Sequence, residues 1–186
     1  MYFCLEKIQR SIRSIYAFHN ITPRQKGYNF GLYLICFKIN LGVYFTLTMN
    51  YQITPEWRIT LEMPYQRRIE DNALVLWTIG RTIVATAFRI PANLTRDELL
   101  AKLKSKPSAG ILDVYETIQD DIDRLAFMQS EEVADGQTRL AMHTFNASTT
   151  SLLQIAFYFD IPKDVEWART TWDSVNFEPI EKDITS

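Results

Sequence analysis

The stretch LLQIAFYF, Leu152–Phe159, is the strongest strand signal in the sequence and decides the fold. Its large apolar side chains stand at alternate positions and share one face, while Gln154, Ala156 and Tyr158 point to the other. A run of this length, rich in Phe, Tyr and Ile, is typical of a strand in a sheet. The sequence therefore predicts a domain built around a sheet.

A helix is predicted directly after this strand. Pro162 suits the first helical turn, where a missing N–H costs nothing, and Asp164 and Glu166 lie near the positive end of the helix dipole. The residues that recur at helical spacing and share a face are Val165, Ala168, Trp172 and Val175.

Three strands are predicted in the first half of this domain. Trp57–Met63 alternates apolar and polar residues, and Leu74–Ile79 is apolar on both faces, as in a central strand. Arg81–Ile90 follows as the hairpin partner, with Gly80-Arg81 as the two-residue turn. The polar residues 65–72 are predicted to be a loop.

The clearest helix signal begins at Thr95. Thr95 and Glu98 have the spacing of a capping box, in which each side chain accepts a hydrogen bond from a backbone N–H of the first turn. The apolar stripe consists of Leu99, Leu100 and Leu103, and Pro107 ends the helix. A helix over about Arg96–Ser105 is predicted.

The second half repeats the pattern of strands and then a helix. Residues 108–122 are ambiguous between a loop and a short acidic helix. Arg124–Val133 and Gln137–Phe145 are predicted strands, joined by the hairpin turn signal Asp135-Gly136, and residues 146–150 turn again. The predicted order is β-β-β-α-β-β-β-α, an α+β fold with an antiparallel sheet on which the helices pack.

Charge divides the chain near Met49. Residues 1–48 carry six basic side chains against one acidic, whereas residues 49–186 carry 14 basic and 21 acidic. The sequence predicts an N-terminal extension, 1–48, and a single α+β domain, 49–186. An acidic domain argues against nucleic acid as its main partner, because phosphate binding needs clustered Lys and Arg.

Three interpretations of residues 1–48 remain open. The extension has no selected structure, or its apolar run 28–49 is a membrane anchor, or it adds strands such as Leu32–Ile39 and Val43–Thr48 to the fold. Lys38 near the middle of the run argues against a membrane span. The expected location is cytoplasmic, with anchoring in the inner membrane through residues 28–49 as the alternative.

The domain resembles a family of small bacterial proteins to which no activity is assigned. The resemblance rests on five segments across residues 49–178, namely Trp57–Pro64, Leu74–Trp77, Arg81–Ile83, Tyr158–Asp160 and Trp172–Val175. More distantly, the order of elements resembles the Mog1/PsbP-like α/β/α sandwich, whose members include partners of a nuclear GTPase, photosystem subunits and envelope lipoproteins. The resemblance implies a fold and leaves the activity open.

Candidate chemical groups are few. His143 is the only histidine of the domain, which has no cysteine, so no second His or Cys completes a metal site or a nucleophile–base pair. His143 is predicted to be a solvent-facing strand residue. The candidate binding residues are those of an acidic stretch and of an aromatic cleft: Asp120, Asp121, Asp123, Trp77 and Arg81.

These residues predict a protein-interaction module, for example an immunity or accessory protein, whose partner has a basic face. No cofactor or metal is predicted. The alternative is a small-molecule-binding protein or enzyme with a pocket between sheet and helix, which a deep pocket with a buried carboxylate would favour.

Overall fold

The computed structural model describes residues 48–62, 64–105, 110–119, 121–132 and 138–180. All of them except Glu132 belong to one compact unit. Their elements are ten strands and two α-helices, so the protein is a mostly-sheet α+β fold with two sheets. Every strand pair whose register is known is antiparallel.

The larger sheet has seven strands in the order β3-β4-β5-β9-β8-β7-β6. Its strands are β3 (Gln66–Glu70), β4 (Ala73–Thr78), β5 (Arg81–Arg89), β6 (Ile111–Ile118), β7 (Asp123–Glu132), β8 (Thr138–Ala147) and β9 (Ser151–Phe159). The central strand, β9, contains the LLQIAFYF stretch and is buried along its whole length. Its alternating pattern therefore gives the sheet its hydrophobic face.

The smaller sheet joins both ends of the described chain and has the order β1-β2-β10. Its strands are β1 (Met49–Gln52), β2 (Trp57–Leu61) and β10 (Asn176–Phe177). Trp57, Ile59 and Leu61 point from β2 into a core shared with the larger sheet. The Trp57 Nε1 donates a hydrogen bond to the Oγ of Ser151 at 2.9 Å, which ties the two sheets together.

Two helices cover opposite faces of the larger sheet. Helix α2 (Val165–Asp173), preceded by a 3₁₀ turn over Pro162–Asp164, packs Trp167, Ala168 and Trp172 into the shared core. We call this side the α2 face. Helix α1 (Arg96–Lys104) forms ion pairs with Asp123 and Glu116, whose side chains point to the other side, the α1 face.

The capping box at the start of α1 is confirmed. Thr95 Oγ1 accepts from the Glu98 N–H at 3.2 Å, and the Glu98 carboxylate accepts from the Thr95 N–H at 3.0 Å. The hydrogen bond from the Thr95 N–H to the Glu98 carboxylate lowers the pKa of Glu98, since it favours the charged form.

Replacing the cap should weaken the fold moderately. Thr95→Ala removes the side-chain acceptor of the first turn, and we expect a loss of ~0.5–2 kcal/mol in the free energy of unfolding. Urea denaturation measures it, with Thr95→Ser as the control that keeps the hydroxyl. A loss near zero would mean that this cap does not stabilise α1.

The predicted order of elements is wrong in its details, because four edge strands, β1, β3, β6 and β10, were not recognised. Residues 65–72, predicted to be a loop, contain β3 and the Asp71-Asn72 turn, at which both residues have positive φ. Residues 108–122, predicted to be a loop or an acidic helix, contain β6. Five strands, rather than three, precede α1 in the described chain, and β10 follows α2.

Other boundaries shift by one residue. The β4–β5 turn is Ile79-Gly80 rather than Gly80-Arg81, since Thr78 pairs with Arg81 and Gly80 adopts φ 73°. The predicted turn Asp135-Gly136 and the helix stop at Pro107 lie outside the described residues, as do Leu32–Ile39 and all of Val43–Thr48 except Thr48.

Candidate functional site

The acidic stretch does not form one continuous surface. Asp121 is exposed, but Asp123 is 3% exposed and pairs through Oδ2 with Arg96 Nε at 2.9 Å. Burial raises the pKa of Asp123, and the neighbouring Arg96 opposes that rise. Asp123 therefore holds α1 to β7, whereas Asp120 lies outside the described residues.

Trp77 and Arg81 lie on opposite faces of the sheet. Trp77 pairs with Thr82 and points to the α1 face, where the Arg68 guanidinium lies 5.1 Å from its ring centroid. Arg81 pairs with Thr78 and points to the α2 face. The structure therefore does not bring these two residues together in one cleft.

Arg81 forms a tie between the sheet and the start of α2. Its Nη2 and Nε donate to the two carboxylate oxygens of Asp164 at 2.8 and 3.2 Å, and its guanidinium lies 4.9 Å from the Trp167 ring centroid. Hydrogen bonds from Arg81 lower the pKa of Asp164, and the same pair raises the pKa of Arg81. Such a bidentate, stacked pair fixes geometry, which is typical of a structural role.

The prediction that His143 faces solvent is wrong, because it is buried on β8. Its Nε2 lies 2.5 Å from Glu131 Oε1, and the Gln129 side chain donates to the same oxygen at 2.6 Å. The Glu131 carboxylate is itself nearly buried. A polar cluster, consisting of Gln129, Glu131 and His143, thus lies on the α1 face.

Gln154 lies beside this cluster at the centre of the sheet. It is 1% exposed, and neither its amide nitrogen nor its amide oxygen has a hydrogen-bond partner among the described residues. The register places it opposite Thr86, whose buried hydroxyl also lacks a partner, and diagonal to His143. Each unsatisfied buried polar group costs ~1–3 kcal/mol, so a glutamine at this position lowers the stability of the fold.

The most exposed apolar element is β6, at the edge of the larger sheet. Leu112, Val114 and Ile118 are 61%, 44% and 77% exposed. In the described chain β6 pairs with β7 alone, and its eight residues include Asp113 and Glu116 but no basic side chain. An edge strand with bare apolar side chains is a natural site for protein association.

The opposite edge has a different character. Strand β3 is QRRIE, with Arg67 and Arg68 exposed and one exposed large apolar residue, Ile69. Charged side chains on an edge strand discourage pairing with other chains. The two edges therefore differ in charge and in apolar exposure, and β6 is the less protected one.

The described residues contain no group of three or more His, Cys, Asp or Glu side chains arranged to hold a metal ion. Among them, no helix is long and apolar enough to cross a bilayer. The apolar run 28–49 lies outside the described residues except for its last two positions, so the alternative of an anchor there stays a prediction.

Together, the two antiparallel sheets and the helices on both faces define a PsbP-like fold. The chain is similar to the solution structure of cyanobacterial PsbP (CyanoP) from Synechocystis sp. PCC 6803, with a TM-score of 0.59 at 10% identity over 74% of this chain and 96% of that one. It is also similar to a crystal structure from Bacteroides thetaiotaomicron, with a TM-score of 0.56 at 9% identity.

The match covers 70% of this chain but 49% of the Bacteroides chain, so the chain spans about half of that protein. No protein-family profile and no curated protein matches the sequence. Identities this low show the fold alone, and the distant PsbP-like resemblance noted in the sequence is thereby confirmed.

Sequence reasoning missed β6 and the buried cluster. The signal for β6 is weak, since the sequence ILDVYETI has apolar residues at both even and odd positions and so lacks clean alternation. The pairing of Glu131 with His143 depends on the packing of β7 and β8, which no local pattern shows. For β3, another missed edge strand, the sequence did contain a signal. Asp71-Asn72 marks the β3–β4 hairpin turn, because these residue types tolerate positive φ.

Proposed function

We propose that the protein is a protein-interaction module, of the accessory or immunity type, that binds its partner through β6. The observation that carries the proposal is the exposure of Leu112, Val114 and Ile118 on an edge strand. Exposed apolar side chains supply affinity when a partner covers them. The PsbP-like fold accommodates this role without specifying it.

The proposed partner has a basic surface. Asp113 and Glu116 lie among the apolar residues of β6, and the exposed Asp121 follows the strand. Lys104 of α1 contacts Glu116, and the Arg169 guanidinium of α2 lies 4.7 Å from the Tyr115 ring centroid, beside Asp113. The exposed carboxylates of Asp113 and Asp121 are proposed to contact a partner's Lys or Arg. Opposite charges across an interface raise the association rate and make it sensitive to salt.

Matched variants of the two sheet edges test this proposal. The β6 variant carries Leu112→Asn, Asp113→Lys and Val114→Thr, and the β3 control carries Arg67→Glu and Ile69→Asn. In quantitative affinity purification from the native host, the β6 variant should lose specific partners that the wild type and the β3 variant retain. The retained partners should elute at raised salt. Equal partner recovery by both variants would contradict the proposal.

Charge reversal of the whole acidic stretch would be a less specific test. Asp123→Lys would place a second positive charge beside Arg96 at a buried position, so it would disturb the fold as well as the surface. Asp113 and Asp121 are exposed and can be changed without that cost.

One observation favours the alternative function, a small-molecule-binding protein. The nearly buried Glu131 carboxylate contacts His143, beside a Gln154 amide that has no hydrogen-bond partner in the part of the chain that the structure describes. Buried polar groups gathered on one face are typical of binding sites as well as of polar cores. The Gln154 variant described in the Discussion separates these two interpretations.

A further inference from the structure

The backbone of β6 has a definite free side. The Val114 N–H donates to the Oδ1 of its own neighbour Asp113 at 2.9 Å, while the Gln119 N–H donates across the β6–β7 turn to the Ile122 carbonyl at 3.2 Å. Inward and outward N–H groups alternate along an antiparallel strand. From Asp113 to Gln119, after the register shift between Ile111 and Asp113, the odd positions therefore bond to β7. The N–H and C=O groups of Val114, Glu116 and Ile118 point away from the sheet.

We propose that β6 binds its partner by strand addition, taking up an extended, antiparallel segment that carries both apolar and basic residues. This inference rests on the proposed function and specifies how that same edge recognises its ligand. Strand addition uses main-chain hydrogen bonds for affinity and the alternating side chains for specificity. Three outward-pointing residues on the regular stretch Asp113–Ile118 give a ladder long enough for both.

The side chains of β6 specify the chemistry of the added segment. On the α1 face the order is Val114, Glu116 and Ile118, and on the α2 face it is Asp113, Tyr115 and Thr117. A segment opposite them should place apolar residues at Val114 and Ile118 and a basic residue at Asp113. A basic residue opposite Glu116 would share that carboxylate with Lys104.

The carboxylate of Asp113 covers one outward N–H group of this edge, that of Val114. It accepts the hydrogen bond of the Val114 N–H in the free protein, so a β-strand must displace it. Hydrogen bonds from the Tyr115 hydroxyl and from the Val114 N–H lower the pKa of Asp113, which keeps this carboxylate charged. A basic residue opposite Asp113 gives the displaced carboxylate a new partner, whereas an acidic residue there would be repelled.

A synthetic peptide tests the proposed mode directly. The probe is Val-Thr-Lys-Thr-Val-Arg-Ile, written so that its first residue faces Ile118 and its Arg faces Asp113, and the control replaces Lys and Arg with Glu. In fluorescence anisotropy the basic peptide should bind more tightly than the acidic one, and the difference should shrink as salt rises. Equal affinity for the two peptides would overturn the assigned ligand class.

A proline at an outward position tests the role of the backbone. Val114→Pro keeps an apolar side chain but removes one outward N–H, and edge strands tolerate proline there. We expect the affinity for the basic peptide to fall roughly tenfold or more, because the variant loses one hydrogen bond and disturbs the neighbouring ones. Val114→Ala keeps the N–H and should bind more tightly than Val114→Pro.

These variants distinguish the proposed function, binding of a partner at β6, from the proposed mode, strand addition. Circular dichroism checks that Val114→Pro is folded, and Ile118→Pro, near the strand end, is the second variant if it is not. Undiminished binding by a folded proline variant would overturn strand addition. If the side-chain variants of β6 lose the natural partner while Val114→Pro keeps it, β6 binds through its side chains and the proposed function stands. If neither variant loses the partner, both proposals fail.

Discussion

Trp57→Ala should destabilise the protein by ~3–5 kcal/mol, the cost of removing a large buried aromatic side chain. Trp57 is fully buried, its ring lies 4.9 Å from that of Phe177, and it joins the smaller sheet to Ser151 of β9. The variant opens a cavity between the two sheets and leaves the Ser151 hydroxyl without its donor. Urea denaturation at two or more wavelengths measures the loss.

Ser151→Ala is the matched control for this variant. It removes the hydrogen bond but keeps the packing of the indole, so the expected loss is about 1 kcal/mol. If Trp57→Ala lowered the free energy of unfolding by less than about 1 kcal/mol, the two sheets would not share a core. Two separate unfolding transitions would contradict a shared core as well, because such a core unfolds cooperatively.

Gln154→Leu should stabilise the protein by ~1–3 kcal/mol, because it replaces an unpartnered buried amide with an apolar side chain of similar size. Thermal unfolding measures the change. The control is Thr144→Val on the adjacent strand, where the hydroxyl already donates to the Ile155 carbonyl at 3.2 Å. That variant should lose stability, since it breaks a hydrogen bond that is made.

The sign of the Gln154 result decides how the buried cluster is interpreted. A gain in stability would show that Gln154 lowers the stability of the fold, which supports the small-molecule alternative, since binding sites often lower stability. A loss would show that the Gln154 amide is satisfied in solution, for example by a buried water. The cluster of Glu131, His143 and Gln129 would then be a polar core.

Local signals in the sequence predicted the local structure well. The Thr95–Glu98 capping box depends on residues three apart, and α1 begins where that spacing indicates. The LLQIAFYF stretch alternates cleanly because one side of β9 faces the main core. Where burial decides the choice of residue at every second position, the pattern alone predicts a strand.

Edge strands escape this reasoning for a physical reason. Strand β3 is exposed along nearly all its length, and β6 exposes side chains on both faces, so burial constrains few of their positions. The two-residue strand β10 forms because it pairs with β2, whose residues lie more than 100 positions earlier in the chain. No local pattern contains that information.

The candidate sites were the least predictable part. Asp121 and Asp123 are near neighbours in sequence, but one is exposed and the other is buried against Arg96. Trp77 and Arg81 lie on opposite faces because Trp77 pairs with Thr82, whereas Arg81 pairs with Thr78, the neighbour of Trp77 on β4. A one-residue shift in register changes which face a side chain occupies, so it also changes which residues can share a site.

Residue-resolved amide hydrogen exchange on β6 tests the central claim most directly. In the free protein the amides of Glu116 and Ile118 should exchange rapidly, whereas those of Tyr115 and Thr117 should be protected by β7. Adding the basic peptide, or the natural partner once purified, should slow exchange at Val114, Glu116 and Ile118. Unchanged exchange at these three amides in the saturated complex would contradict binding by strand addition at β6.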